Sequence, residues 1–153
     1  MSDLRDLYQE VIFDHYRRPR NCHGLPGANH TAEGYNPLCG DRITLYLRIE
    51  DGIVKEASFE GAGCAIATAS ASLMTEALKG KTETEAEALF GRFHDMVTTP
   101  AAGQATAAPE MGKLAVLSGV REFPERVKCA TLAWHTLHAA LHDEHRPVST
   151  ERE

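Results

Sequence analysis

The spacing of apolar positions changes period along this chain, and the changes mark its elements. Between Ser2 and Pro19, Leu4, Leu7, Tyr8, Val11 and Ile12 recur at helical spacing, with Ser2 as a possible cap and Pro19 as the stop. Residues 20–42 keep no sustained period: "NCHGLPGANH" reads as a loop, and a short strand fits near Thr31–Tyr35. The segment "ITLYLRIE" then alternates Ile43, Leu45, Leu47 and Ile49 with Thr44, Tyr46, Arg48 and Glu50, which predicts a strand with one buried face. Asp51-Gly52 tolerates the positive φ of a tight reversal, "IVKEASFE" supplies the returning strand, and "GAG" at 61–63 is expected to break it.

After Cys64 the pattern turns helical. "AIATASASLMTEALKG" predicts a helix stopped by Gly80, and "TETEAEALFGRFHDMV" a second, with Thr82 and Glu85 at capping-box spacing and the Leu89–Val97 run in the core. Residues 98–110 are low in complexity and predict a flexible loop. "MGKLAVL" follows as a short apolar turn, and Pro124 suits the first position of a last helix. Its apolar stripe is Val127, Ala130, Trp134, Leu137 and Leu141, which leaves Cys129 on a flank. Residues 1–3 and 142–153 are expected to fray. Strands precede helices, so the pattern predicts a compact α+β fold in a single domain over 1–153.

Composition excludes several function classes. At 153 residues the chain can bury roughly 70% of its unfolded surface in one core. Its net charge of −6 gives no basic footprint for nucleic acid. No run approaches the ~20 apolar residues of a membrane span, and "MSDLRDLYQE" has no secretory pattern. A reducing cytoplasm is the expected location, where four cysteines are thiols rather than disulfides.

The thiols carry the candidate chemistry. No pair is spaced Cys-x-x-Cys, which argues against zinc ribbons and thioredoxin-type sites. In "NPLCGDR", Cys39 and Asp41 alternate on a Pro/Gly bend, so both can point to one side. Cys64 sits at a strand–helix junction and Cys129 in the second turn of the last helix, where N-terminal N–H groups favour thiolates. Arg126 and Lys128 place positive charge beside Cys129. Cys39, Asp41, Cys64 and Cys129 together would suit tetrahedral zinc, whereas on spacing alone unlinked buried thiols and a turn-forming Asp41 are the commoner outcome. His135, His138, His142 and His145 recur along the last helix; His138 with His142 could chelate a metal, but the stronger reading is that imidazoles near a helix C-terminus interact favourably with its dipole and need no metal. His15, His23, His30 and His94 have no partner pattern, and "NCH" at 21–23 is not a site by itself.

"NPLCGDR", "FEGAGCAIATASASLMTEALKGK" and "GVREFPERVKCATLAWHTL" resemble the three signature segments of the U-type iron–sulfur assembly proteins, and "LYQEVIFDHYRRPRN" resembles their first helix. The resemblance runs from about Leu4 to Leu141. It implies a small antiparallel β-sheet with helices packed on one side, and a metal site at Cys39, Asp41, Cys64 and Cys129. IscU-type scaffolds have histidine before the last cysteine; here Lys128 stands there, as in the SufU-type branch, whose insertion "MGKLAVLSGVREFPER" also resembles. The Ala-rich stretch 101–108 departs from the pattern, and Cys22 lies outside it.

That branch implies a zinc-dependent sulfurtransferase, with Cys39 accepting persulfide sulfur from a SufS-type, pyridoxal-phosphate cysteine desulfurase and downstream iron–sulfur assembly proteins as recipients. Cys39, between Pro37 and Gly40, is on the most pliable backbone of the four and is the expected ligand to be released. The alternatives are a scaffold holding an iron–sulfur cluster on the same cysteines, and a zinc-stabilised adaptor without sulfur transfer.

Overall fold

A computed structural model describes residues 2–37, 40–98, 114, 117, 124–142 and 148–149. The chain runs α1 (Ser2–Arg17), β1 (His30–Asn36), β2 (Asp41–Glu50), β3 (Ile53–Ala62), α2 (Ala65–Leu78), α3 (Glu83–Thr98), α4 (Pro124–Leu141) and β4 (Val148–Ser149). The sheet order is β3-β2-β1-β4. β1, β2 and β3 form an antiparallel meander, on which β4 lies parallel to β1. This is the α+β architecture expected, an antiparallel sheet with its helices on one side.

β2 obeys its sequence alternation: Ile43, Leu45, Leu47 and Ile49 are buried, while Thr44, Tyr46, Arg48 and Glu50 face outward or are half-buried. The β2–β3 reversal places Asp51 at φ 56° and Gly52 at φ 74°, the pair of positive values that matches strand twist in a two-residue hairpin. β3 runs on through Gly61 and Ala62 instead of breaking at Gly61, because Gly61 at φ 151° can pair with Ile43 where a Cβ would lie 2.1 Å from the Arg42 carbonyl oxygen.

α4 is enclosed more completely than its apolar stripe predicts. Ala130, Trp134 and Leu137 are buried as expected, but so are Cys129, Thr131, Leu132 and Thr136. The helix lies between β1 and β2 on one side and α2 and α3 on the other, so two faces are covered. Thr131 and Thr136 satisfy their buried hydroxyls by donating to Val127 and Leu132 carbonyls one turn back. The Phe93 and Trp134 rings stack at 4.4 Å between α3 and α4. The Trp134 indole N–H donates to Ser70 Oγ at 3.1 Å, and that hydroxyl donates to the Ala130 carbonyl at 2.6 Å, which ties α2 to α4. Leu89, Met96 and Val97 join this core, as do Leu114 and Leu117 from the apolar turn.

Two further parts of the fold depart from expectation. His15, which has no partner pattern in sequence, is buried, with Nδ1 2.7 Å from Ser72 Oγ on α2. At the ends, α1 begins at Ser2, and Val148–Ser149 pair with Gly34 and Tyr35 where fraying is expected. The edge of β1 offers unpaired backbone groups that a returning chain can satisfy. The loop expected at 98–110 lies outside the described residues after Thr98.

Candidate metal centre

Three segments distant in sequence meet at one end of the sheet. β1 and β2 pair up to Asn36 and Asp41, and Gly40, at φ 76°, donates its N–H to the Asn36 carbonyl at 2.8 Å. Asp41 opens β2 and is buried. Its Oδ1 accepts the backbone N–H of Cys64 at 2.9 Å, and Oδ2 lies 3.9 Å from Cys64 Sγ. Gly63 permits this approach: a Cβ there would meet Asp41 Oδ1 at 3.0 Å.

Cys64 is the cap of α2. Its extended backbone, φ −72° and ψ 172°, turns the sulfur back over the first turn, where Sγ accepts the Ala67 N–H at 3.4 Å. The helix start thus offers its unpaired donors to a sulfur anion. Cys129 enters from the buried second turn of α4, and Asn36 Nδ2 donates to its Sγ at 3.9 Å. Hydrogen bonding from the Cys129 thiol brings the Cys64 thiol down to about 6, with the Ala67 and Ile66 N–H groups assisting, against burial and the Asp41 charge, which push it up.

One ligand atom each from Asp41, Cys64 and Cys129 lie within 4.8 Å of one another. A tetrahedral zinc with sulfur at 2.3 Å has ligand edges of about 3.8 Å, so this group fits with small side-chain adjustment. Two thiols and a carboxylate are also the donor chemistry such an ion takes. Cys39, the fourth residue expected here, lies outside the described residues. Arg126 is exposed and Lys128 half-buried on α4. Cys22 takes no part in the cluster: it is exposed, bridges to Phe59, and is held above the ordinary thiol range by partial burial and the Glu60 carboxylate.

Sequence reasoning passes over two participants. Asn36 gives no signal beyond a turn residue beside Pro37. Elsewhere, Glu87 on α3 joins His138 and His142 in a second three-residue cluster; the imidazole spacing is visible in sequence, but the carboxylate facing it is not.

The thiol–carboxylate cluster lies between a hairpin, a helix cap and a packed helix, and comparison with known proteins puts a chain of this kind among the U-type iron–sulfur cluster assembly proteins. The chain belongs to the family described as the NifU-like N terminal domain, which matches residues 7–130. It is 41% identical over 143 residues to the zinc-dependent sulfurtransferase SufU of Bacillus subtilis, covering 94% of this chain and 95% of that one. It is likewise 41% identical over 142 residues to the iron–sulfur cluster assembly scaffold protein IscU of Streptococcus pyogenes, covering 92% and 86%. Among solved structures, a candidate scaffold for the SUF system from Fervidobacterium islandicum superposes with a TM-score of 0.78 at 33% identity, covering 86% of this chain and 94% of that one. No helix among the described residues is long and apolar enough to cross a membrane.

Proposed function

We propose that this chain is a zinc-dependent sulfurtransferase that accepts persulfide sulfur from a SufS-type, pyridoxal-phosphate cysteine desulfurase and hands it to downstream iron–sulfur assembly proteins in the cytoplasm. The observation that carries the reading is the convergence of Asp41, Cys64 and Cys129 within 4.8 Å. The likeness to the Bacillus subtilis sulfurtransferase over nearly both full lengths supports it. Zinc would be held by those three residues with Cys39, and when bound it keeps sulfur ligands deprotonated at neutral pH.

Cys39 is the acceptor in this reading. Its thiolate attacks the outer sulfur of the donor's cysteine persulfide; a new S–S bond forms to Cys39 as the donor's S–S bond breaks, and the donor cysteine leaves as a thiolate. The exchange is redox-neutral and moves one sulfur atom. Asp41 and the α2 cap keep Cys64 in place while this happens, and Cys129 is fixed by its buried helix. Sulfur uptake from the desulfurase, followed by mass spectrometry, tests the assignment. Cys39→Ser should abolish the gain of one sulfur atom, and desulfurase turnover should rise with the zinc-loaded protein but not with the zinc-stripped one. Uptake retained by Cys39→Ser refutes the role.

A scaffold holding an iron–sulfur cluster is the second reading, favoured by the equal identity to the Streptococcus pyogenes scaffold. Lys128 before Cys129 speaks against it, since the nitrogen ligand of a histidine is missing. Iron and a visible absorption band in anaerobically purified protein would decide for the scaffold.

A further inference from the structure

We infer that α3 and α4 build a second metal site, separate from the thiol cluster, in which Glu87, His138 and His142 bind a divalent transition-metal ion of the zinc class. His138 and His142 are one turn apart on α4 and therefore share a face. Glu87 reaches them from α3, and its two oxygens divide between them: Oε1 lies 3.2 Å from His138 Nδ1 and Oε2 lies 2.5 Å from His142 Nε2. The two imidazole centroids are 4.4 Å apart. One atom from each of the three residues falls within 4.8 Å of the others.

The 3.2 Å separation is already near what an ion needs, and the 2.5 Å contact to His142 would open by about 0.8–1.0 Å as an ion replaced the shared proton. Nitrogen and oxygen ligands at 2.0–2.2 Å in tetrahedral array stand about 3.3–3.5 Å from one another. The ligands also come from rigid supports. Phe90, one turn along α3 from Glu87, stacks on His138 at 5.2 Å and 24°, which restricts that ring's rotation. The core contact of Phe93 with Trp134 holds the two helices together beneath. A binding constellation placed on packed helices, with an aromatic fixing one ligand, is partly preorganised.

The donor set selects the ion. Two imidazoles and one carboxylate suit zinc, nickel(II) or copper(II), whereas the thiol cluster suits softer binding. His138 and Glu87 are half-buried and His142 is exposed, so a fourth position would open to solvent and the ion would exchange readily. His138 lies nine positions along α4 from Cys129, a rise of about 13.5 Å, so the two sites share no ligand.

The test uses the whole, tag-free chain and zinc itself. Equilibrium dialysis at neutral pH should find one zinc fewer per chain in the His138→Asn/His142→Asn double variant than in the wild type. Glu87→Gln should weaken the affected zinc by at least the ~10-fold that lesser, outer-shell changes cause. Equal zinc content and affinity in all three proteins overturns the inference. A measurement on the unmodified wild type covers the case of a misfolded variant: diethylpyrocarbonate labelling read by peptide mass spectrometry. Zinc should protect His138 and His142 but not exposed His23 or half-buried His30, and equal labelling with and without zinc overturns the site.

Discussion

Asp41 and Cys64 are joined twice, through the Cys64 backbone N–H to Oδ1 at 2.9 Å and through Sγ near Oδ2 at 3.9 Å. The carboxylate therefore positions the cap of α2 as well as offering an oxygen to an ion. Asp41→Ala leaves a part-buried N–H without its acceptor, so the metal-free protein should lose about 1–3 kcal/mol of unfolding free energy. Asp41→Asn keeps an acceptor oxygen and should lose less. Urea titration of both variants separates the two, and an unfolding free energy unchanged in Asp41→Ala would mean that the carboxylate has no structural part.

Bringing metal to this cluster should stabilise the whole fold, because its residues belong to β2, the α2 cap and α4. Free zinc at a hundred times its dissociation constant adds about 2.7 kcal/mol. Treatment with a chelator should lower the melting temperature and zinc should restore it, measured by differential scanning calorimetry. A melting temperature indifferent to both treatments would remove the metal centre from the account.

Gly34 sits where β1 meets α4. A Cβ there would lie 2.2 Å from Thr136 Oγ1 and 3.1 Å from Leu132 Cδ1, so Gly34→Ala should destabilise by about 1–3 kcal/mol. Adding Thr136→Ala removes the nearer atom and should return part of the loss. A double-mutant cycle measures the coupling, and strict additivity would show that the close approach is not the cause.

Thr82 and Glu85 form the reciprocal cap of α3: Thr82 Oγ1 accepts the Glu85 N–H at 3.1 Å, and Glu85 Oε1 accepts the Thr82 N–H at 2.9 Å. Thr82→Ala should cost about 1 kcal/mol in chemical denaturation, while Thr82→Ser, which keeps the oxygen, should cost clearly less.

Burial holds His135 below the ordinary histidine range, and the neighbouring His94 and His138 push in the same direction. Above about pH 6.5 it is neutral in both folded and unfolded chains, so its contribution is complete. As pH falls below that value the unfolded chain takes up the proton first, and stability declines until the lower folded value is passed. His135→Phe should therefore flatten the fall in unfolding free energy between about pH 6.5 and 5. An unchanged slope would assign that fall to other groups.

What could be read directly from the chain was local in origin. The alternation of β2, the Asp51-Gly52 reversal, the Thr82/Glu85 cap and the Pro124 start of α4 each depend on neighbours a few residues away, and the structure has all four. The resemblance of long signature segments, rather than any local pattern, grouped Cys39, Asp41, Cys64 and Cys129; the structure brings the last three together, and Cys39 lies outside the described residues. The burial of Cys129 was not legible, because the apolar stripe of α4 records one packed face and the sheet covers another. The His15–Ser72 contact and the meeting of Glu87 with His138 and His142 join residues more than fifty positions apart. No periodicity encodes such pairs.

Sequence by itself determined the three long strands, the four helices and the buried face of β2, since backbone preference and hydrophobic patterning act over a few residues. Tertiary structure alone decided how α4 is sandwiched, that Val148–Ser149 close the free edge of β1, and which carboxylate faces which imidazole. These depend on how packed elements cross, and packing is settled by the shapes of surfaces that the chain brings together only when it folds.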